Sequence, residues 1–201
     1  MEGIGSFGIC EECGTRVGKA AMRTHLRKCL PVTSGAARAT SVLVRAQARG
    51  ESIFWLDVAG SSDATLKSLD GLLRREWLEC CGHLSEFTNR QRRSISMNRR
   101  IGEVLGSPGD RLDYVYDFGS STELVVSHVG IVDAPPAKRL RVVARNEAPT
   151  WPCDECGVTA TTVCVECAGE GGGFSCATHT AAHQCGEEML LPVVNSPRMG
   201  E

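Results

Sequence analysis

Residues 41–77 read SVLVRAQARGESIFWLDVAGSSDATLKSLDGLLRREW, and a change of period inside this stretch decides the fold. Ser41–Arg49 and Ser52–Val58 are rich in β-branched and aromatic residues around a Gly50–Glu51 turn, which predicts a hairpin. From Thr65 the apolar residues recur as Leu66, Leu69, Leu73 and Trp77, with Leu72 widening the stripe, and this predicts a helix. Asp63 or Thr65 offers a side-chain oxygen to its first free amides, and Arg74 and Arg75 lie late, where cations suit the helix dipole. Further on, Phe87 marks a short strand and Ile101–Leu105 a short helix or turn. Arg111–Phe118 and Thr122–Val129 read as two more strands joined through Gly119–Ser121. The expectation is an α+β fold, a mostly antiparallel sheet with one main covering helix, flanked by small zinc-stabilised modules.

The whole chain has 201 residues, 42% of them hydrophobic and 23% charged, with a net charge of −2. That is the composition of a globular protein, and bulk charge makes it no polyanion binder. No run approaches the ~18 apolar residues that a membrane helix needs, so no membrane role is expected. The opening MEGIGSFGICEECG lacks a basic start and an apolar stretch, which predicts a cytoplasmic protein with reduced thiols. Composition shifts suggest a head (1–32), a middle domain (40–132), a basic proline-containing linker (133–150) and a Cys-rich tail module (151–193).

Eleven cysteines are the unusual number. In the head, Cys10-x-x-Cys13 forms a knuckle and His25-x-x-x-Cys29 spaces two ligands along one helix face, with Val17 and Met22 as apolar cover. In the tail, Cys153-x-x-Cys156, Cys164-x-x-Cys167, Cys176-x-x-His179 and His183-x-Cys185 supply two closed tetrahedral sites. Spacing alone leaves three ways to combine these pairs. The preferred one is interleaved, Cys153, Cys156, Cys176 and His179 on one metal and Cys164, Cys167, His183 and Cys185 on the other. Its ligand order resembles the cross-brace of B-box and MYND-type fingers, which are protein-interaction modules. Zinc is the expected cofactor, one ion in the head and two in the tail.

Candidate nucleic-acid contacts are Lys19, Arg23 and Arg27 on the predicted head helix, and Arg90, Arg92, Arg93, Arg99 and Arg100 in the run from Asn89. A solvated face and a charged sheet edge explain the same residues without a ligand. The tail carries Asp154, Glu155, Glu166, Glu170, Glu187, Glu188 and Glu201 against Arg198, which phosphate would repel, so a protein partner is expected there. Candidate chemistry is sparse. Cys80-Cys81-Gly82-His83 sets a thiol near a base, but no orienting carboxylate is evident. Asp113 and Asp117 fall on one face of a predicted strand, and a structural role is favoured for Asp117.

At Tyr114-x-Tyr116-Asp117-Phe118-Gly119 the chain resembles the plasmid open-reading-frame-three-like family, also met as the passenger protein of an insertion element. Phe54-Trp55, Thr65-Leu66-x-x-Leu69, Trp77, His83-Leu84, Phe87 and Gly102-Glu103-Val104 agree with that progression. The resemblance covers roughly residues 40–132. The family commonly continues with an acidic residue and a Trp-x-His, where this chain reads Ser120-Ser121-Thr122-Glu123-Leu124. The resemblance implies an α+β fold and a microbial cytoplasmic setting, and it implies no activity. The leading expectation is therefore a non-catalytic zinc-binding interaction or adaptor protein, associated with mobile elements or gene regulation. A nucleic-acid-binding accessory factor using the head finger and Arg90–Arg100 is the alternative, and a hydrolase or nuclease ranks third.

Overall fold

The computed structural model describes residues 6–30, 41–78, 82–132 and 139–200, in two compact units that divide between Glu147 and Ala148. In the first unit the order is β1 (Phe7–Cys10), β2 (Arg16–Gly18), α1 (Lys19–Cys29), β3 (Ser41–Ala48), β4 (Trp55–Gly60) and α2 (Leu66–Leu73). A π-helical turn (Arg74–Leu78), β5 (Ser85–Thr88), β6 (Ser94–Ile95), α3 (Ile101–Val104), β7 (Arg111–Tyr116), β8 (Thr122–Val132) and β9 (Arg141–Asn146) follow. Among the described residues, nine antiparallel strands form one sheet in the order β2-β1-β9-β4-β3-β8-β7-β5-β6. The α+β class is borne out.

Side chains alternate across a strand, so each helix takes one set of them. Leu43, Trp55, Ala59, Val132, Val143 and Ala144 face α1 and pack with its Met22 and Leu26. On the other face, Tyr114 donates its hydroxyl to Asp70 Oδ1 of α2 (2.7 Å). Leu66, Leu69, Leu72 and Leu73 make the buried stripe of α2, and Thr65 caps it by accepting from the Ser68 amide. The predicted helix thus forms, but its last part, Arg74–Leu78, widens into a π-helical turn.

Two parts of the expected division differ. The head does not stand apart, because β1 pairs with β9 (Gly8↔Asn146, Ile9↔Arg145, Cys10↔Ala144) and α1 covers a sheet face. The fold therefore has two covering helices where the periodicity of the middle block showed one. The close approach depends on Gly8, where a Cβ would overlap the Arg145 carbonyl and the Trp55 ring. The expected linker contains β9, which sits between β1 and β4 with Val143 and Ala144 fully buried. Its valines have the β-branched character of a strand, but prolines and basic residues surround them. The other expected connection, residues 31–40, lies outside the described residues.

The second unit is small. Its order is β10 (Thr162–Cys164), α4 (Val165–Ala168), β11 (Phe174–Ser175), α5 (Ala177–Thr180), a 3-10 turn (Glu187–Met189) and β12 (Leu190–Pro192). The strands pair as β11-β10-β12, and Trp151 stacks on Phe174 with ring centroids 4.9 Å apart.

Candidate metal centres

Three groups of four ligands come together: Cys10, Cys13, His25 and Cys29; Cys153, Cys156, Cys176 and His179; and Cys164, Cys167, His183 and Cys185. Within each group all four donor atoms lie within 4.8 Å of one another. Both tail groups have the interleaved pairing.

In the head, β1 delivers Cys10 and the chain turns back on itself. Gly14 N–H donates to the Cys10 carbonyl (2.8 Å), and Gly14 has a φ of 70°, a backbone state glycine adopts without strain. One helical turn of α1 then aligns His25 with Cys29. Cys13 Sγ lies 3.4 Å from His25 Nε2, and Cys10 Sγ lies 3.8 Å from Cys29 Sγ. In the tail, His179 Nδ1 is 3.3 Å from Cys153 Sγ and 3.5 Å from Cys176 Sγ, while Cys156 and Cys176 are 3.8 Å apart. Cys167 Sγ is 3.6 Å from His183 Nε2 and 3.9 Å from Cys185 Sγ.

These separations suit one particular object. A tetrahedron with Zn–S of about 2.3 Å and Zn–N of about 2.05 Å has S···S edges of about 3.8 Å and S···N edges of about 3.6 Å. Disulfides need sulfurs at about 2.05 Å, so the sulfur pairs here are far too wide for one. All nine of these cysteines are free thiols. Their protonation is divided within each tetrad. In the head, the Thr15 hydroxyl and amide bring Cys13 down to about 6, while hydrogen bonding to Cys13 and burial push Cys29 up to about 12. In the tail, hydrogen bonding to Cys164 and Cys167 pushes Cys185 up to about 12. Without a cation, one thiolate opposes the next; a divalent metal removes that opposition and releases protons as it binds.

The basic residues singled out in the sequence have varied surroundings. Lys19 donates to Gln47 Oε1 and, at 2.8 Å, to the Ser52 carbonyl. Burial, reinforced by the nearby Arg45, pushes Lys19 down to about 8. Arg23 and Arg27 stand against Gly130 of β8, where their guanidinium groups would meet an added Cβ. Arg90 donates to the Gly109 carbonyl (2.6 Å), Arg99 pairs with Glu103 (2.6 Å) and Arg100 with Asp63 (3.2 Å). Arg92 and Arg93, at the β5–β6 turn, pair with no carboxylate among the described residues, and Arg92 has a φ of 57°.

The two aspartates of β7 do not act together. Asp113 is held by Arg49 (2.6 Å) and Arg111 (3.4 Å). Asp117 has a φ of 62°, which ends the strand alternation that would have put it beside Asp113. Its carboxylate accepts from the Gly119 amide (2.9 Å) and faces His83 Nε2 at 3.5 Å. Tyr114 and Tyr116 are fully buried, whereas Phe118 is 56% exposed. Cys80 and Cys81 lie outside the described residues.

A buried ion pair and a polar network were not visible in the sequence. Arg45 grips Asp57 through two 2.7 Å bonds, with Asp57 fully buried. Asp70 Oδ1 accepts from Tyr114 and Ser85 (2.6 Å), and its Oδ2 from Arg74 (3.0 Å). Arg74 also donates to the His83 carbonyl (2.7 Å) and covers the Tyr116 ring. The only sequence signal was polar residues inside apolar strands and an acid on the helix.

No family model and no curated protein matches the chain. Among solved structures it is similar to the crystal structure of a protein of unknown function from Methanosarcina mazei Go1. The identity is 15% and the TM-score 0.41, over 62% of this chain and 72% of that one.

Proposed function

We propose that this is a non-catalytic zinc-binding interaction protein of the cytoplasm, in which zinc fills all three tetrads and folded surfaces engage a protein partner. One observation carries the reading: each tetrad supplies four side-chain donors, so no corner is left for the water that a catalytic zinc activates. The acidic tail favours a protein partner over a phosphate backbone. The proposal includes membership of residues 40–132 in the plasmid open-reading-frame-three-like family. Its support is the burial of Tyr114 and Tyr116 and the positive φ that Asp117 adopts before Gly119. Native mass spectrometry of reduced protein purified without added metal tests the reading. Three zinc ions, lost on chelation, are expected; fewer than two would overturn it.

The exposed Arg92 and Arg93 favour a second reading, an accessory factor that grips nucleic acid through the β5–β6 turn. Salt-dependent binding to a DNA or RNA fragment, lost when Arg92, Arg93, Arg99 and Arg100 are changed together, would support it.

A further inference from the structure

Between α2 and the start of β9 lies a cleft of about 620 Å³, lined by Ala64, Ser68, Leu72, Arg75, Arg139 and Leu140. A second cleft of about 320 Å³ shares Leu72, Arg75 and Leu140 with it and adds Glu11, Glu76, Arg141 and Arg145 among its walls. We propose that the larger cleft binds a phosphate-bearing small molecule that carries an apolar group.

The charges of the two clefts differ in a way that selects the ligand. Among its described lining residues the larger has two arginines, a serine and apolar side chains, and none of them is a carboxylate. Arg139 is exposed and makes no ion pair among the described residues. The contacts Arg75 makes within the protein are long, 3.4 Å to the Gly71 carbonyl and 3.8 Å to Glu76. Both groups therefore keep donors for an incoming anion. A guanidinium presents paired N–H groups that match two phosphate oxygens, and two such groups lining one cleft hold a dianion better than a monoanionic carboxylate. Ala64, Leu72 and Leu140 give the cleft apolar walls for the ligand's apolar group. The volume falls in the range of about 300–1,000 Å³ typical of small-ligand sites. An extended acidic peptide fits less well. Leaving the larger cleft through the smaller, it would meet Glu11 and Glu76, and Arg141 there is already paired with Glu12.

The test uses the zinc-loaded full chain and titrates phenyl phosphate by calorimetry, with phenol and inorganic phosphate in parallel. Saturable binding of phenyl phosphate is expected, weaker binding of inorganic phosphate, and none of phenol. Arg75→Gln with Arg139→Gln should weaken binding by about tenfold for each arginine removed, since each loses a charge-assisted bond. Both positions are exposed, so the fold should persist, which the zinc count by native mass spectrometry checks independently. Arg92→Gln with Arg93→Gln should leave the affinity unchanged. The inference is overturned if phenyl phosphate does not bind, or if the Arg92/Arg93 variant loses binding. Binding of inorganic phosphate as tight as that of the ester would sink the apolar part, and tighter binding of a polyglutamate peptide would sink the ligand class. None of these results bears on whether the tetrads hold zinc.

Discussion

Replacing Leu26 by alanine asks whether α1 belongs to the core of the sheet or to a separate finger. Leu26 is fully buried in one cluster with Leu43, Trp55, Val143 and Ala144 from β3, β4 and β9. Strands paired on both edges cannot collapse into the space left by the side chain, so the loss is transfer free energy plus a cavity, about 2–5 kcal/mol. For a unit of roughly 150 residues, each kcal/mol moves the melting midpoint by about 2–4 °C, so a fall of about 4–20 °C is expected. The assay is thermal unfolding of the zinc-loaded chain, joined to hydrogen exchange of peptides covering residues 55–60 and 141–146. Both peptides should lose protection along with residues 19–29. If β4 and β9 stay protected while only α1 opens, the head is an autonomous finger and the argument from shared burial fails.

Arg45→Met should cost about 3–5 kcal/mol in chemical denaturation, because it strands the buried Asp57 carboxylate. Adding Asp57→Leu should recover most of that loss, and a double variant as unstable as the single would contradict the account. Tyr114→Phe removes a 2.7 Å bond to Asp70 Oδ1 and should cost about 1.5–3 kcal/mol by the same measurement. Zinc affinity, read by competition with a chromophoric chelator, should fall as pH drops from 8 to 6. Cys29 and Cys185, pushed up to about 12 by their neighbouring thiols, must re-protonate on release throughout this range, and Cys13, brought down to about 6, joins them only at its lower end. Calorimetry in buffers of different ionisation heat should show protons leaving as zinc binds; heats independent of buffer would refute this.

What the sequence made legible was what depends on neighbours in the chain. Ligand knuckles, the Thr65 cap and the Leu66–Leu73 stripe are local, and the structure contains them near the expected positions. The π-helical turn was not legible, because Arg74 is drawn to the Ser85 hydroxyl and the His83 carbonyl, which lie beyond the helix. The union of head and sheet was hidden for the same reason. Cys10 reads as a ligand from its spacing, but nothing in FGIC shows that its backbone will pair with Ala144. The twist at Asp117 is a subtler case, since strict alternation is the natural expectation for YVYDFG until a positive φ breaks it.

The position of the head explains why a metal site is built into a sheet that already has a large core. Without β1, the strand β9 would be an edge, with the backbone groups that Ala144–Asn146 turn to β1 left open and the Cys10 side chain gone from the cluster that holds Val143 and Ala144. Such an edge invites pairing with another chain. The β1–β2 hairpin closes it, but β2 has only three residues and β1 four, too little pairing to hold by itself. Two fastenings compensate. Trp55 Nε1 donates to Ser6 Oγ (2.7 Å), and Arg16 pairs with Glu147 (2.7 Å). The proposed zinc in the head tetrad is a third, since its ligands join the end of β1 through Cys10 to α1 through His25 and Cys29. Cys10 is both a ligand and a member of the sheet core, so loss of the ion loosens the hairpin and the α1 cover together. Chelation of the intact chain should therefore raise hydrogen exchange in residues 141–146 before it reaches β3 and β8 at the centre of the sheet. Simultaneous opening of all these strands would show that the ion supports the whole sheet and not its edge.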